Sequence, residues 1–416
     1  MYYGPDHPMK PQRVAMAHHL IVGYGLTDLM DVYRPRRAAP EELAGFHDAA
    51  YVAALRDTPP EAFRARAPRL ARFGLDDDCP VFPGLFDFCR LYAGASVEGA
   101  ARLNAGQHER VVNWAGGLHH AKRAEASGFC YINDCVLAIL ELLKAHARVL
   151  YVDIDIHHGD GVEEAFYTTD RVLTLSLHLY RPERFFPGTG ALEEVGEGAG
   201  RGYSVNVPLL EGCQDAEYLA LFKPILARVM EVFQPGAVVL QCGADALSGD
   251  RIGALSLTAE GHAEAVAYVH SFGLPTLVLG GGGYTKTNVA RAWTLDTAAL
   301  LGVAPPDALP EHPFSGYYTP ERLRYSPPPV FQDLNQRAEL ERVRAAVLEN
   351  LRHLRGAPGA GAPLRPPEAL LPAVDVEGEE AVHERLKAYV QGHFSGALRR
   401  AEEDAQAALG SPRGGW

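Results

Sequence analysis

Six short runs rich in Val, Leu and Ile recur along the chain: RVVNWAGG from Arg110, RVLYVDID from Arg148, RVLTLSLH from Arg171, YSVNVPL from Tyr203, AVVLQCGAD from Ala237 and PTLVLGGGG from Pro275. Their length suits strands, and their nearly unbroken apolar character suits strands covered on both faces. Helical patterns lie between several of them. Residues 133–145, NDCVLAILELLKA, place Val136, Ile139, Leu140 and Leu143 on one face, with Asp134 near the start. Residues 216–233 and 257–272 are further cases, the latter opened by Thr258 with Glu260 and Glu264 following. Strands alternating with helices predict an α/β domain with a central, mainly parallel sheet and helices on both faces. In such folds ligands bind beyond the carboxyl ends of the strands. The polar residues follow that rule: His119 and His120, Asp155 and His157, His178, Asp245 and Tyr284 each come at or just after a strand's end. Polar groups delivered by five strands to one rim predict a site.

The run LYVDIDIHHGDG, residues 150–161, opens as a buried strand and ends in carboxylates and imidazoles. Period-two alternation would put Asp153, Asp155 and His157 on one side of it. Adjacent buried carboxylates repel and are costly to desolvate unless a cation sits among them. A divalent metal is the simplest such cation, since side chains at i and i+2 can both reach an ion roughly 2 Å away. Asp155 and His157 are the first two candidate ligands, and Asp245, in QCGADAL at another strand's end, is the best candidate for the third. Taken alone, Asp245 reads equally well as a helix or turn cap. One His with carboxylates suggests an open, catalytic site that keeps a place for water.

The adjacent His119 and His120 in GGLHHA read as an acid–base pair. Asp153 and Asp160 remain once Asp155 is assigned to metal, and a carboxylate on the far ring nitrogen would fix each tautomer. Tyr284 follows four glycines in GGGGYTK. A phosphate loop is one reading of such a stretch, but the G-x-x-x-x-G-K-[ST] pattern is absent. A tyrosine delivered to a metal site can instead hydrogen-bond an oxyanion.

With 47% hydrophobic and 22% charged residues among 416, the chain can bury a large core and is not of the disordered class. A formal net charge of −13 argues against nonspecific nucleic-acid binding and favours a cationic substrate or partner, ordinary solubility being the plainer reading. The six cysteines, Cys79, Cys89, Cys130, Cys135, Cys213 and Cys242, form no C-x-x-C pair, which predicts reduced thiols and a cytoplasmic protein. YYGPDHPMKPQR follows Met1 directly, so no signal peptide is expected, and no apolar run approaches the roughly 20 residues of a membrane span. The main domain is expected over residues 1–355, followed by a Pro/Gly/Ala-rich linker, 356–377, and a C-terminal tail, 378–416. In that tail Val382, Leu386, Val390, Phe394 and Leu398 suit one face of a helix, against the effect of Gly392 and Gly396. No internal repeat is present.

Together, HPMKPQR (7–13), DCPVFPGLFDFC (78–89), NWAGGLHHAKRAEASGFCYIND (113–134), YVDIDIHHGDGVEEAFY (151–167), FFPGTG (185–190), YSVNVPL (203–209), GADALSGDRIG (243–253) and GGGGYTKTNVARAW (280–293) resemble the zinc-dependent histone deacetylases. The likeness is to class I and its bacterial relatives of the acetoin-utilisation type, over roughly residues 1–370. It implies a single-domain arginase–deacetylase fold and hydrolysis of Nε-acetyl-lysine in proteins to lysine and acetate. It implies one Zn2+, or Fe2+, on Asp155, His157 and Asp245, with His119 paired to Asp153 and His120 to Asp160. His120 would move the proton in both directions with His119 as electrostatic support, and Tyr284 would stabilise the oxyanion. The Gly128 carbonyl would accept the substrate amide N–H, and Phe129 and Phe186 would wall a narrow channel. Asp78 would hold the substrate backbone at the rim, where Ile252 is a further contact. The resemblance also implies K+ near Asp153, Asp155, His157, Ser176 and Leu177, and a second K+ near Phe166, Thr169, Val172 and Tyr203.

Three departures from the family pattern bear on partners. The family usually has a strand upstream of YYG, so here that strand is absent or the natural start lies further upstream. Close eukaryotic relatives bind an inositol phosphate at a corepressor interface; Lys10 and Arg251 match its basic residues, but Thr287 stands where an Arg is expected. The tail after Glu377 lacks the long acidic and lysine-rich segment of nuclear relatives. These last two features count against corepressor assembly and nuclear location and favour a bacterial enzyme acting on acetylated protein. Two other readings stay open: an amidohydrolase of acetylpolyamines or other small acylated amines, and a metal-bearing scaffold without turnover, which would be expected to lose Tyr284 or a histidine. Nothing in the pattern bears on oligomeric state.

Overall fold

The six apolar runs form six strands in the computed structural model: β1 Arg110–Asn113, β2 Val149–Asp153, β3 Val172–Leu179, β4 Ser204–Leu209, β5 Ala237–Gln241 and β6 Thr276–Leu279. The structure describes residues 3–64 and 68–354. The expected linker and tail helix lie outside the described residues. All strand pairs are parallel, in the order β1-β6-β5-β2-β3-β4. Every residue of β2, β3, β5 and β6 is buried, as a sheet covered on both faces requires. Val149, Tyr151, Ala237, Val239, Leu277 and Leu279 pack in one cluster with residues of the helices Leu85–Asn104 and Asp134–Leu142. Leu150, Val152, Val238, Leu240 and Val278 alternate with them and are equally buried.

The three helices expected from periodicity are present, and two carry the caps that start them. Asn133 accepts the Val136 N–H ahead of Asp134–Leu142, and Thr258 accepts the Gly261 N–H ahead of Ala259–His270. The Thr258 hydroxyl also donates to Asp215 at 2.6 Å, tying that start to the first residue of Asp215–Phe233. Further helices span Gln12–Gly23, Lys286–Leu301 and Arg337–Arg352. Up to Leu29 and from Pro35 on, the described residues form one compact unit, and Met30–Arg34 group apart. No helix among the described residues is long and apolar enough to cross a membrane.

The topology places the site. From β2 the chain runs outward to β3 and β4, then returns to the other side of β2 for β5 and β6. The direction reverses between β2 and β5, so their connections leave the sheet in opposite senses and open a crevice at the carboxyl ends. Register sets the height: Asp153 is level with Gln241, Gln241 with Leu279, and Leu279 with Asn113. The segments that follow β1, β2, β5 and β6 therefore start side by side at one edge of the sheet.

Candidate metal centre

β2 stops at Asp153, so Asp155 and His157 are not placed by a strand's pleat, as the alternation predicted. Two successive side-chain turns place them. The Asp155 N–H donates to Asp153 Oδ1 at 3.1 Å, and the His157 N–H donates to Asp155 Oδ1 at 3.0 Å. Short carboxylate side chains offer the backbone this alternative to the sheet ladder. The two-residue spacing survives with a different cause. Asp245 arrives from the segment after β5, and ligand atoms of Asp155, His157 and Asp245 all lie within 4.8 Å of one another. His157 Nδ1 is 3.1 Å from Asp155 Oδ1 and 3.0 Å from Asp245 Oδ2.

Each carboxylate spends its other oxygen on the protein. Asp155 Oδ2 accepts from Gln241 Nε2 and from the Gly282 N–H, both at 2.8 Å. Asp245 Oδ1 accepts the Ile156 N–H at 3.0 Å. Gly282 must lack a side chain here, since a Cβ would fall on Asp245 Oδ2. Burial opposes charge on His157, but the Asp245 and Asp155 carboxylates outweigh it and hold the imidazole up at about 10. Burial and the charge of Asp155 push Asp245 up to about 7. A proton on His157 Nδ1 thus faces an oxygen of each of two buried acidic side chains. One imidazole nitrogen and two carboxylate oxygens suit a divalent ion that displaces this proton and keeps an open position.

The segment after β1 is held by Asp134, whose carboxylate accepts the Gly117 N–H at 3.0 Å, the Leu118 N–H at 2.9 Å and the Ser96 hydroxyl at 2.6 Å. It delivers two imidazoles with ring centroids 3.9 Å apart. His119 Nδ1 lies 2.7 Å from Asp153 Oδ2, which also accepts the Tyr151 hydroxyl at 2.6 Å. His120 Nδ1 lies 2.7 Å from Asp160 Oδ1, whose Oδ2 meets Lys122 Nζ at 2.7 Å. A carboxylate on Nδ1 keeps the proton there and leaves Nε2 to react. Burial would depress His119, yet Asp153 and Asp155 raise it to about 9. Burial and the charge of His119 push His120 down to about 3, against the pull of Asp160.

Phe129 and Phe186 both border these groups. The Phe186 ring meets His120 edge-on at 4.9 Å, and the Phe129 ring meets Tyr284 at 5.8 Å. Gly128 has φ +52°, and a Cβ there would press on the His120 ring and approach Phe186 to 2.8 Å, so this position admits only glycine. Tyr284 is buried, which pushes its phenol well above its ordinary range. Its N–H donates to Asp250 at 2.6 Å. Asp78 and Ile252 are exposed, and the Asp78 carbonyl lies 3.0 Å from His7 Nε2.

Not every predicted residue joins this group. His178 sits within β3, with Nδ1 2.8 Å from Ser176 Oγ and Nε2 2.9 Å from the Gly190 carbonyl, and burial lowers it well below its ordinary value. Ser176 is level with Asp153 in the sheet, and Leu177 follows it in β3. The Phe166 carbonyl accepts the Thr169 N–H at 3.2 Å, and the Tyr203 carbonyl accepts the Thr174 N–H at 3.0 Å, near Val172 where β3 begins. Lys286, next to Thr287, donates through Nζ to Gln12 Oε1 at 2.7 Å. Burial, then the charges of Lys10 and Arg251, depress the Lys286 ammonium. Gln241, Gly282, Asp134 and Asp250 are the residues that sequence pattern alone does not single out.

Comparison with known proteins identifies the family. Residues 7–300 match the histone deacetylase domain. The chain is 54% identical to Histone deacetylase 1 of Oryza sativa subsp. japonica over 379 residues, 91% of this chain and 73% of that protein. It is 52% identical to Histone deacetylase 19 of Arabidopsis thaliana over 379 residues, 91% of this chain and 75% of that protein. It is also 52% identical to Histone deacetylase 1 of Homo sapiens over 369 residues, 89% and 76% of the two chains. Such likeness over nearly the whole described body shows that the chain belongs to the histone deacetylase family and is a hydrolytic lysine deacetylase.

Proposed function

We propose that the substrate is Nε-acetyl-lysine carried by a polypeptide, and that Asp155, His157 and Asp245 hold one divalent ion, zinc or ferrous iron. When bound, the ion supplies positive charge that acidifies a water and polarises the acetyl carbonyl. His120 takes the water's proton at Nε2 while Asp160, shared with Lys122, steadies the imidazolium through Nδ1. The new C–O bond makes the acetyl carbon tetrahedral, and the Tyr284 hydroxyl donates to the oxygen on which charge develops. The C–N bond then breaks as His120 returns the proton to the departing amine, leaving lysine and acetate. His119 stays charged beside Asp153 and lends electrostatic support. The unequal surroundings support this division: His119 lies between Asp153 and Asp155, whereas the Asp160 behind His120 is shared with Lys122.

The Gly128 carbonyl accepts the substrate amide N–H, Phe129 and Phe186 flank the lysine methylenes, and Asp78 and Ile252 meet the peptide at the rim. Potassium is proposed at the Asp153, Asp155 and His157 carbonyls with Ser176 and Leu177, and near Phe166, Thr169, Val172 and Tyr203. What supports the reading is a buried three-ligand group beside two carboxylate-backed imidazoles, with Tyr284 buried against the Phe129 ring. Purified protein should contain about one zinc or iron per chain and hydrolyse acetyl-lysine peptides. Asp245→Ala should lose both properties, and a hydroxamate on a linker as long as the lysine side chain should inhibit. Faster turnover of acetylpolyamines than of peptides, with no hydroxamate inhibition, would overturn it.

A further inference from the structure

We propose that Asp250 is a positioning residue for Tyr284: its carboxylate fixes the peptide unit from which the phenol reaches the acetyl oxygen. The proposal rests on the reading of Tyr284 as the oxyanion donor. Asp250 Oδ2 accepts the Tyr284 N–H at 2.6 Å and the Thr285 N–H at 3.2 Å. Its Oδ1 accepts the Ile252 and Gly253 N–H groups at 3.0 and 3.1 Å. The acceptor capacity of one carboxylate is thereby filled by backbone donors from two separate loops. One of those loops carries Asp245, and it doubles back so closely that a Cβ on Gly253 would strike the Asp245 carbonyl. The seam continues beyond Asp250: Thr285 Oγ1 donates to the Gly249 carbonyl at 2.8 Å, and Asn288 Nδ2 to the Ser248 carbonyl at 3.2 Å.

The peptide between Gly283 and Tyr284 is held at both ends. Its carbonyl accepts from Arg13 Nη1 at 2.6 Å, and its N–H is the one that Asp250 receives. Two opposed bonds fix the tilt of that plane, and the tilt sets the direction in which the Tyr284 side chain leaves the backbone. Gly281 and Gly283, at φ +146° and +118°, add little stiffness of their own. With Asp250 weakened, the plane can turn about the Arg13 bond and carry the hydroxyl off the line to the oxyanion. Misplacement of a reacting group by about 1 Å costs on the order of 10²-fold in rate.

Asp250→Asn keeps the shape but offers an NH2 to one pair of N–H donors. The kcat for an acetyl-lysine peptide should fall about ten- to a hundredfold, with KM changed less than about threefold. Metal content should match wild type and Tm should fall by only a few degrees, while amide hydrogen exchange at Tyr284 and Thr285 accelerates and that of β5 does not. In a Tyr284→Phe background the same change should cost nothing further, because the hydroxyl it positions is gone. Losses that multiply in the double variant, or an unchanged kcat in Asp250→Asn, overturn the proposal. Full kcat in Tyr284→Phe alone would instead remove the donor role itself, a failure visible before Asp250 is altered. If Asp250→Asn does not fold, Thr285→Val decides, since it cuts the neighbouring bond of the seam without touching a charge. A kcat loss that vanishes in the Tyr284→Phe background supports the proposal, and wild-type kcat overturns it.

Discussion

Gly282 and Tyr284 stand two positions apart in one loop, and they act in opposite ways. Gly282 matters for the side chain it lacks. A methyl group there would fall on Asp245 Oδ2 and come within 2.9 Å of Asp155 Oδ2, so both ligand carboxylates would have to move. Gly282→Ala should therefore leave the protein with well under one metal per chain by elemental analysis, and full occupancy would show that the loop yields instead. Tyr284 matters for one atom. Tyr284→Phe keeps the ring and its packing, so Tm and metal content should stay near wild type while kcat falls at least ~10²-fold, with a smaller change in KM. A collapsed Tm would make the hydroxyl structural, and unchanged kcat would remove it from the chemistry. Asp155, His157, Asp245 and the two histidines can be read from sequence because metal- and proton-handling types at strand ends are conspicuous. Asp134, Gln241 and Asp250 cannot, because what marks them is a set of hydrogen bonds that includes partners brought in by other segments of the fold.

At the scale of elements, the strands are legible because apolar, β-branched runs of that length have few alternatives. Some helices hide. Lys286–Leu301 is buried on nearly every side, so it shows no amphipathic stripe. Arg337–Arg352 does carry a stripe, Leu340, Val343, Val347 and Leu351, and a period search would find it. The segment carrying His119 also rests on a contact between elements that pattern does not reveal. His47, next to the helix Ala49–Asp57, accepts the Asn133 N–H on Nε2 at 2.9 Å. The Asn133 side chain in turn donates to the His119 and Ala121 carbonyls at 3.1 and 3.0 Å. His47 must stay neutral to accept, and burial pushes it down to about 4. A histidine with a folded pKa below its unfolded value of ~6.5 contributes its full stability above that value and loses it as pH falls toward the folded pKa. Stability should thus drop between about pH 6.5 and 4, with each such histidine adding a slope of up to ~1.4 kcal/mol per pH unit. His18 and His312, also pushed to about 4 by burial, act in the same direction. Unfolding curves across this range should give about one proton fewer taken up by His47→Gln than by wild type. Equal proton uptake would mean that His47 is not held neutral.

At the scale of the molecule, charge decides what approaches the buried site. The chain carries 52 acidic against 39 basic residues. Asp76, Asp77 and Asp78 lie exposed in succession, with Asp78 beside His7, whose ring packs on the Phe129 wall at 4.6 Å. Clustered exposed carboxylates can raise the local concentration of cationic ligands and speed their encounter, by 10-fold or more in favourable cases. A peptide with several lysines or arginines beside its acetyl-lysine should gain from this field, and an uncharged peptide of equal length should not. Salt separates the two contributions, because the Debye length shrinks from about 30 Å at 0.01 M to about 10 Å at 0.1 M and 3 Å at 1 M. Raising salt from about 20 to 300 mM should lower kcat/KM for the basic peptide several-fold, nearly all of it in KM. For the neutral peptide the same change should do little. The kcat should hold for both, since Asp155, Asp245 and the imidazoles are buried and mobile ions screen buried charges far less than exposed ones. A fall in kcat would place the salt effect inside the site, and equal responses of the two peptides would remove the surface field from substrate selection.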